Sequence, residues 1–145
     1  MAKIPEWRKD NGRFIFHNEN PKGLLSAGDC VIRALAFGLS VGLDKIITWD
    51  EVYEGLYEIG FELKDVPNSD RVYREFMKRL GFEKRKQPRR MDGSKYTAEE
   101  FSEAYYEGTY IISLANHLSV VYDGRIYDTW NCSHKSVGNF WKVEY

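Results

Sequence analysis

The apolar positions of this chain follow two different periods, and the change from one to the other falls at Thr109. Before it, four segments repeat apolar residues at helical spacing. "DCVIRALAFGLS" starts after Gly28, with Asp29 placed as an N-cap and Cys30 in the first turn. "TWDEVYEGLYEIG" sets Thr48 three residues before Glu51, the capping-box spacing, carries Val52, Leu56 and Ile59 on one stripe, and is expected to stop at Gly60. "SDRVYREFMKRLG" repeats the plan, with a cap at Ser69 or Asp70, a stripe of Val72, Phe76 and Leu80, and Gly81 as the stop. "TAEEFSEAYYEG" has Thr97 three before Glu100 and is expected to run to Gly108.

From Thr109 the period is two. "TYIISLANHLSVVY" and "RIYDTW" are β-rich runs parted by Asp123-Gly124, a strong hairpin signal, and residues 139–145 read as a further strand. Ahead of the helices, "EWRKDNGRFIFHNENPKG" holds a short β-prone run, Phe14 to Phe16, which reads as an edge strand or an extended arm. Helices first and antiparallel strands last make an α+β chain, and its 145 residues form one compact unit, residues 1–145.

A two-residue turn at Asp123-Gly124 also decides which side chains meet. Tyr122 pairs with Arg125, so Ser119 faces Asp128 and His117 faces Trp130. His117, Ser119, Val121, Ile126, Asp128 and Trp130 then share one face, with His117 and Asp128 as diagonal neighbours roughly 7–8 Å apart at Cα. A hydrogen bond to Asp128 would hold the imidazole and favour its charged form. Leu118, Val120, Tyr122 and Tyr127 occupy the other face as ordinary packing.

Composition narrows the classes. The chain is 43% hydrophobic and 15% aromatic, too rich for disorder. Its two cysteines cannot build a disulfide framework, no secretory signal pattern opens the chain, and Val31 to Leu43 is too short to span a bilayer and contains Arg33. The expectation is a soluble, cytoplasmic protein with no membrane partner. A formal net charge of −1 offers no general attraction to nucleic acid. The local exception is "KRKQPRR", where Lys84, Arg85, Lys86, Arg89 and Arg90 surround Pro88; without interleaved aromatics it reads as a solvated loop before it reads as a contact for nucleic acid or an acidic partner.

Cys30 carries the candidate chemistry. A thiol in the first turn of a helix sits among unpaired N–H groups at the positive end of the dipole, where the thiolate is favoured. Asp29 opposes this unless its carboxylate is taken by capping or by Arg33. If His117 reaches the sulfur, nucleophile, base and orienting acid stand in the order Cys30, His117, Asp128, and the Cys30 N–H faces a developing oxyanion. The bland readings are a buried helical cysteine sharing a stripe with Ala34 and Phe37, a satisfied sheet histidine, and a strand-end acid. A zinc site from Cys132, His134, Cys30 and His17 or His117 is the weaker alternative, since no second close ligand pair exists. Cys132 itself reads as a packing residue after the strand.

"GDCVIRALA" followed by "NHLSVVYDGRIYDTW" resembles the papain-like cysteine peptidase superfamily. The "DC" before the helix is similar to the bacteriocin-processing peptidase domains of ABC exporters, and the whole chain resembles small proteins encoded by bacteriophages and prophages. The resemblance covers the Cys helix and the C-terminal sheet, and leaves the middle helices and basic loop unaccounted for. It implies a papain-like fold, with the Cys at a helix start packed on the C-terminal antiparallel sheet. It further implies Cys30 as nucleophile, His117 as general base and then acid, Asp128 as orienter, no metal or organic cofactor, and a protein or peptide substrate in the host bacterial cytoplasm. One departure stands out. Such peptidases place a glutamine about six residues before the cysteine to complete the oxyanion hole, and here that position is Leu24. Ser26, Asn18 and Asn20 are the candidate substitutes, and Trp130 the candidate shield of the His–Asp pair. The function expected is therefore thiol-dependent hydrolysis or acyl transfer at an amide. The alternative is an inactive papain-fold protein that engages a host protein, or nucleic acid through residues 84–90.

Overall fold

A computed structural model describes residues 9–145 of the chain. Residues 6–8 of the expected N-terminal arm, and the start of the chain read for a secretory signal, lie outside the described residues. The order of elements is β1 (Phe14–Phe16), α1 (Cys30–Leu43), α2 (Trp49–Leu63), α3 (Asp70–Arg79), α4 (Ala98–Ala104), β2 (Thr109–Leu114), β3 (His117–Tyr122), β4 (Arg125–Asp128) and β5 (Phe140–Val143). The fold is α+β: four helices and one five-stranded mixed sheet of order β1-β4-β3-β2-β5.

Local chemistry starts the helices where the side chains allow it. The hydroxyls of Thr48, Ser69 and Thr97 each accept the backbone N–H three residues on, and at Thr97 the Glu100 carboxylate returns a bond to the cap N–H, a complete capping box. The ends follow the glycines less closely than the sequence predicts. α2 runs past Gly60 to Leu63 and closes on Lys64 at φ 59°, and α4 stops at Ala104, four residues before Gly108. Gly60 is buried against the carbonyl of Asp65, where a Cβ would come within 2.7 Å, so its role is close approach.

The strand register begins at the turns. Asp123 (φ 46°) and Gly124 (φ 79°) form the left-handed two-residue turn, and Tyr122 pairs with Arg125, Val121 with Ile126 and Val120 with Tyr127. The run from Thr109 to Tyr122, expected as one strand, is itself a hairpin: Leu114 pairs with His117 across Ala115-Asn116, with Asn116 at φ 53°. The four C-terminal strands pair antiparallel as expected, and the sheet as a whole is mixed because its edge strand β1 lies parallel to β4, Phe16 beside Asp128. Parallel neighbours need a long crossover, and here every helix and the β2–β3 hairpin intervene.

Alternation along the strands gives the sheet two packed faces. On one, Ile111, Leu118, Val120, Trp141 and Val143 meet α1 and, behind it, buried residues of α2 and α3. α1 comes close because Gly38 faces Ile111, where a Cβ would lie 2.3 Å from Cδ1. On the other face, Ile112, Val121, Ile126 and Phe140 meet Phe101 of α4 together with Cys132 and Val137. No helix among the described residues is long and apolar enough to cross a membrane.

Candidate active site

The site forms where the start of α1 meets the start of β3 and the end of β4. Nε2 of His117 lies 2.5 Å from Oδ2 of Asp128. The same carboxylate oxygen accepts the Ser119 hydroxyl at 2.6 Å and the Cys132 thiol at 3.5 Å, while Oδ1 accepts the N–H of Thr129 at 2.7 Å. The residue after β1 supports the acid from outside the hairpin: the N–H of His17 donates to the Asp128 carbonyl at 2.8 Å. Four donors on one buried carboxylate leave it little freedom to turn.

His117 sits between this carboxylate and two sulfurs. Burial works to lower its pKa, but the hydrogen bond to Asp128, the contacts with Cys132 and Cys30, and the charge of Asp128 outweigh burial and push it up to about 11. The ring is therefore an imidazolium at neutral pH. Trp130 covers one side of it, the two ring centroids 4.9 Å apart.

Cys30 is half-buried at the first position of α1. Burial works to raise its pKa; the hydrogen bond and charge of His117, the N–H of Leu118 and the charge of Arg33 overcome this and hold the thiol below its ordinary value. Its own N–H, as the first of the helix, has no acceptor within the helix. Cys132 meets the same imidazole with the opposite result: it is fully buried, and burial, aided by Asp128, pushes its pKa up against the pull of His117.

Asp29 makes no cap bond. Its carboxylate is instead held by the Arg33 guanidinium, by the Asn20 amide at 2.9 Å and by the Trp49 indole N–H at 2.9 Å. Arg33 reaches on to the Thr129 hydroxyl at 3.4 Å. A chain of contacts thus ties the start of α2, the start of α1 and the residue after Asp128 together, and the negative charge beside Cys30 is compensated where it stands.

No protein-family model, curated protein or solved structure matches this chain.

The structure brings Cys30, His117 and Asp128 together, with Trp130 against the ring. Of the three residues expected to substitute for the oxyanion glutamine, Asn18 and Asn20 have their side chains occupied within the loop before α1. Asn20 spends its amide on Asp29 and its carbonyl on the N–H groups of Lys22 and Leu24. Asn18 bonds the Leu24 carbonyl and the Asn20 N–H, Ser26 is exposed, and Leu24 is exposed as well. These residues shape the loop before α1. Cys30 borders two cavities: a tight one lined by His17, Glu19, Arg33, Ser119 and Asp128, and one of about 230 Å³ beside His117, where the side-chain amides are those of Asn68 and Asn116, with Asp70, Tyr73 and Leu118. Asn116 owes its place to the unforeseen β2–β3 turn, and Asn68 to the loop before α3.

Of the side chains considered for zinc, His17 is paired with Glu19 at 2.5 Å and His134 is exposed. His117, Asp128 and Cys132 are the convergent potential ligands among the described residues, their donor atoms within 4.8 Å of one another. Their present spacing is that of hydrogen bonds: an ion between Nε2 and Oδ2 would need them farther apart than 2.5 Å, because bonds of about 2.0–2.2 Å in a tetrahedron hold ligands more than 3 Å apart.

The basic loop lies by the far edge strand of the sheet. Arg85 exchanges backbone bonds with Phe140 of β5, Arg89 donates to the Gly93 carbonyl and the Gln87 side chain, and Arg90 pairs with Glu100 while stacking on Tyr96. Lys84 and Lys86 are exposed. Two of its arginines therefore serve to fold the loop.

Proposed function

We propose that this protein is a papain-like, thiol-dependent amide hydrolase or acyl transferase. The observation that carries the reading is a single imidazole with Nε2 2.5 Å from the Asp128 carboxylate and the Cys30 thiol beside it in one cleft. The Cys30 thiolate attacks the amide carbonyl carbon, and negative charge develops on the carbonyl oxygen beside the Cys30 N–H. His117, with Nε2 on Asp128, gives the proton of its other nitrogen to the leaving amine as the C–N bond breaks. A thioester remains. Neutral His117 then takes a proton from water, or from an acceptor amine, whose attack releases the acyl group and returns the thiolate and the imidazolium. The substrate class is a protein, a peptide or another amide crosslink, and an origin in a bacteriophage or prophage accords with the resemblance of the chain.

Labelling with iodoacetamide near neutral pH, read by mass spectrometry residue by residue, tests this reading. Cys30 labels much faster than the buried Cys132, and His117→Ala slows Cys30 itself. Equal and slow labelling favours the second reading, a papain-fold binding protein without turnover, for which the exposed Leu24 in the place of the oxyanion glutamine is the specific observation.

A further inference from the structure

The outer face of α2 carries an aromatic row that the chemistry at Cys30 does not use. Trp49, Tyr53, Tyr57 and Phe61 recur every four residues on a stripe that begins beside the buried Val52, Leu56 and Ile59, where Trp49 packs partly against the core, and winds outward to Phe61. The rings of Trp49 and Tyr53 stack at 5.2 Å and 8°, and those of Tyr53 and Tyr57 at 6.1 Å and 22°. Such a row is expensive to leave in water, yet Tyr57 is 55% exposed and Phe61 71%.

The charge that α2 itself sets beside the row has one sign. α2 contains Asp50, Glu51, Glu54, Glu58 and Glu62 and no basic residue. Among the described residues only Glu62 has a cationic partner, Arg79. Tyr53, Glu54, Tyr57 and Glu58 enclose a shallow depression of about 200 Å³. At the end of the row a lysine of the chain itself already lies on a ring, with Lys64 Nζ 4.2 Å from the centre of Phe61. At the other end Trp49 donates to Asp29, the neighbour of Cys30. From Trp49 to Phe61 the helix rises about 18 Å, the span of roughly five residues of extended chain.

We propose that this face of α2 is a docking ridge for a lysine- or arginine-rich stretch of the polypeptide on which Cys30 acts, an assignment that rests on the proposed thiol chemistry. Cationic heads lie over the tyrosine faces and between the carboxylates, and the apolar stems of the same side chains cover the rings. The uncompensated carboxylates decide against other stacking ligands. They repel nucleic acid and anionic glycans, and they add no attraction for a neutral glycan.

The test uses the full chain carrying Cys30→Ala and a fluorescein-labelled ten-residue peptide of alternating lysine and glycine. The peptide binds, and binding weakens as salt rises. Y53A/Y57A weakens it roughly 5- to 30-fold. The isosteric E54Q/E58Q, which preserves the helix surface, weakens it about 2- to 10-fold and flattens the salt dependence. Absence of binding, unchanged binding in both variants, equal binding of a glutamate-glycine peptide, or displacement by chitohexaose each overturns the ridge. Alkylation of Cys30 in the unsubstituted chain is read separately. Fast alkylation without ridge-dependent binding overturns this inference alone, whereas ridge-dependent binding with slow alkylation leaves the docking and overturns the chemistry.

Discussion

Cys30 and Cys132 approach one imidazole from two regions of the molecule and acquire opposite acid strengths. Cys30 stands half-exposed at a helix start, near a backbone N–H of β3 and the guanidinium of Arg33. Cys132 follows β4, wholly buried among Val121, Ile126 and Phe140, with its thiol turned to the carboxylate of Asp128. Contact with a protonated histidine is common to both, so it does not decide which sulfur ionises. The decisive difference is the balance of hydrogen-bond donors against burial and a neighbouring negative charge. Cys132 is best described as a donor that helps to fix Asp128, and Cys30 as the group that Asp128, through His117, prepares.

The widest separation between the two regions appears on deleting each sulfur in turn. Cys30→Ala abolishes fast alkylation and any amide turnover, whereas Cys132→Ala leaves a fast-labelling thiol; mass spectrometry of the alkylated chain distinguishes them. Next in size is His117→Ala, which removes the main opposition to burial, raises the Cys30 pKa and slows its alkylation roughly ten-fold at neutral pH, the loss of thiolate being partly offset by higher nucleophilicity.

Asp128→Asn tests the link between the regions through stability, read as the denaturant midpoint across pH. The folded pKa of His117, about 11, lies above its ordinary 6.5. Its contribution is therefore complete below pH 6.5 and disappears as pH rises through about 11. Losing the charged hydrogen bond costs about 1.5–3 kcal/mol at neutral pH. The gap between variant and parent narrows toward pH 11, and a gap that is constant over that range breaks the account. The smallest effect belongs to a site outside both regions: Thr97→Ala removes the α4 cap, costs about 1 kcal/mol in thermal or denaturant unfolding, and leaves Cys30 alkylation unchanged.

What the sequence made legible is what short-range chemistry decides. The caps at Thr48, Ser69 and Thr97 sit where Ser or Thr precedes an apolar run, and the Asp123-Gly124 turn sets the register that puts His117 near Asp128. What stayed hidden depends on distant partners. Gly60 looks like a stop and is a contact surface, because nothing local shows that Asp65 will fold back on it. The Ala115-Asn116 turn lacks glycine; the available signal was Asn116, a residue type that tolerates the left-handed region. Parallel pairing of β1 with β4 joins segments more than a hundred residues apart. The network of Asp29, Arg33, Trp49 and Thr129 draws on three elements, and only the Asp29–Arg33 pair has a sequence spacing that announces it.

If His117 prepares one sulfur and not the other, the pH profile of iodoacetamide labelling at each cysteine of the folded chain registers the difference. Cys30 reaches half its limiting rate at a lower pH than the same thiol does in His117→Ala, while Cys132 remains unlabelled until the chain unfolds. A Cys30 midpoint at or above that of an ordinary thiol, or one that His117→Ala leaves unmoved, shows that the histidine does not prepare it.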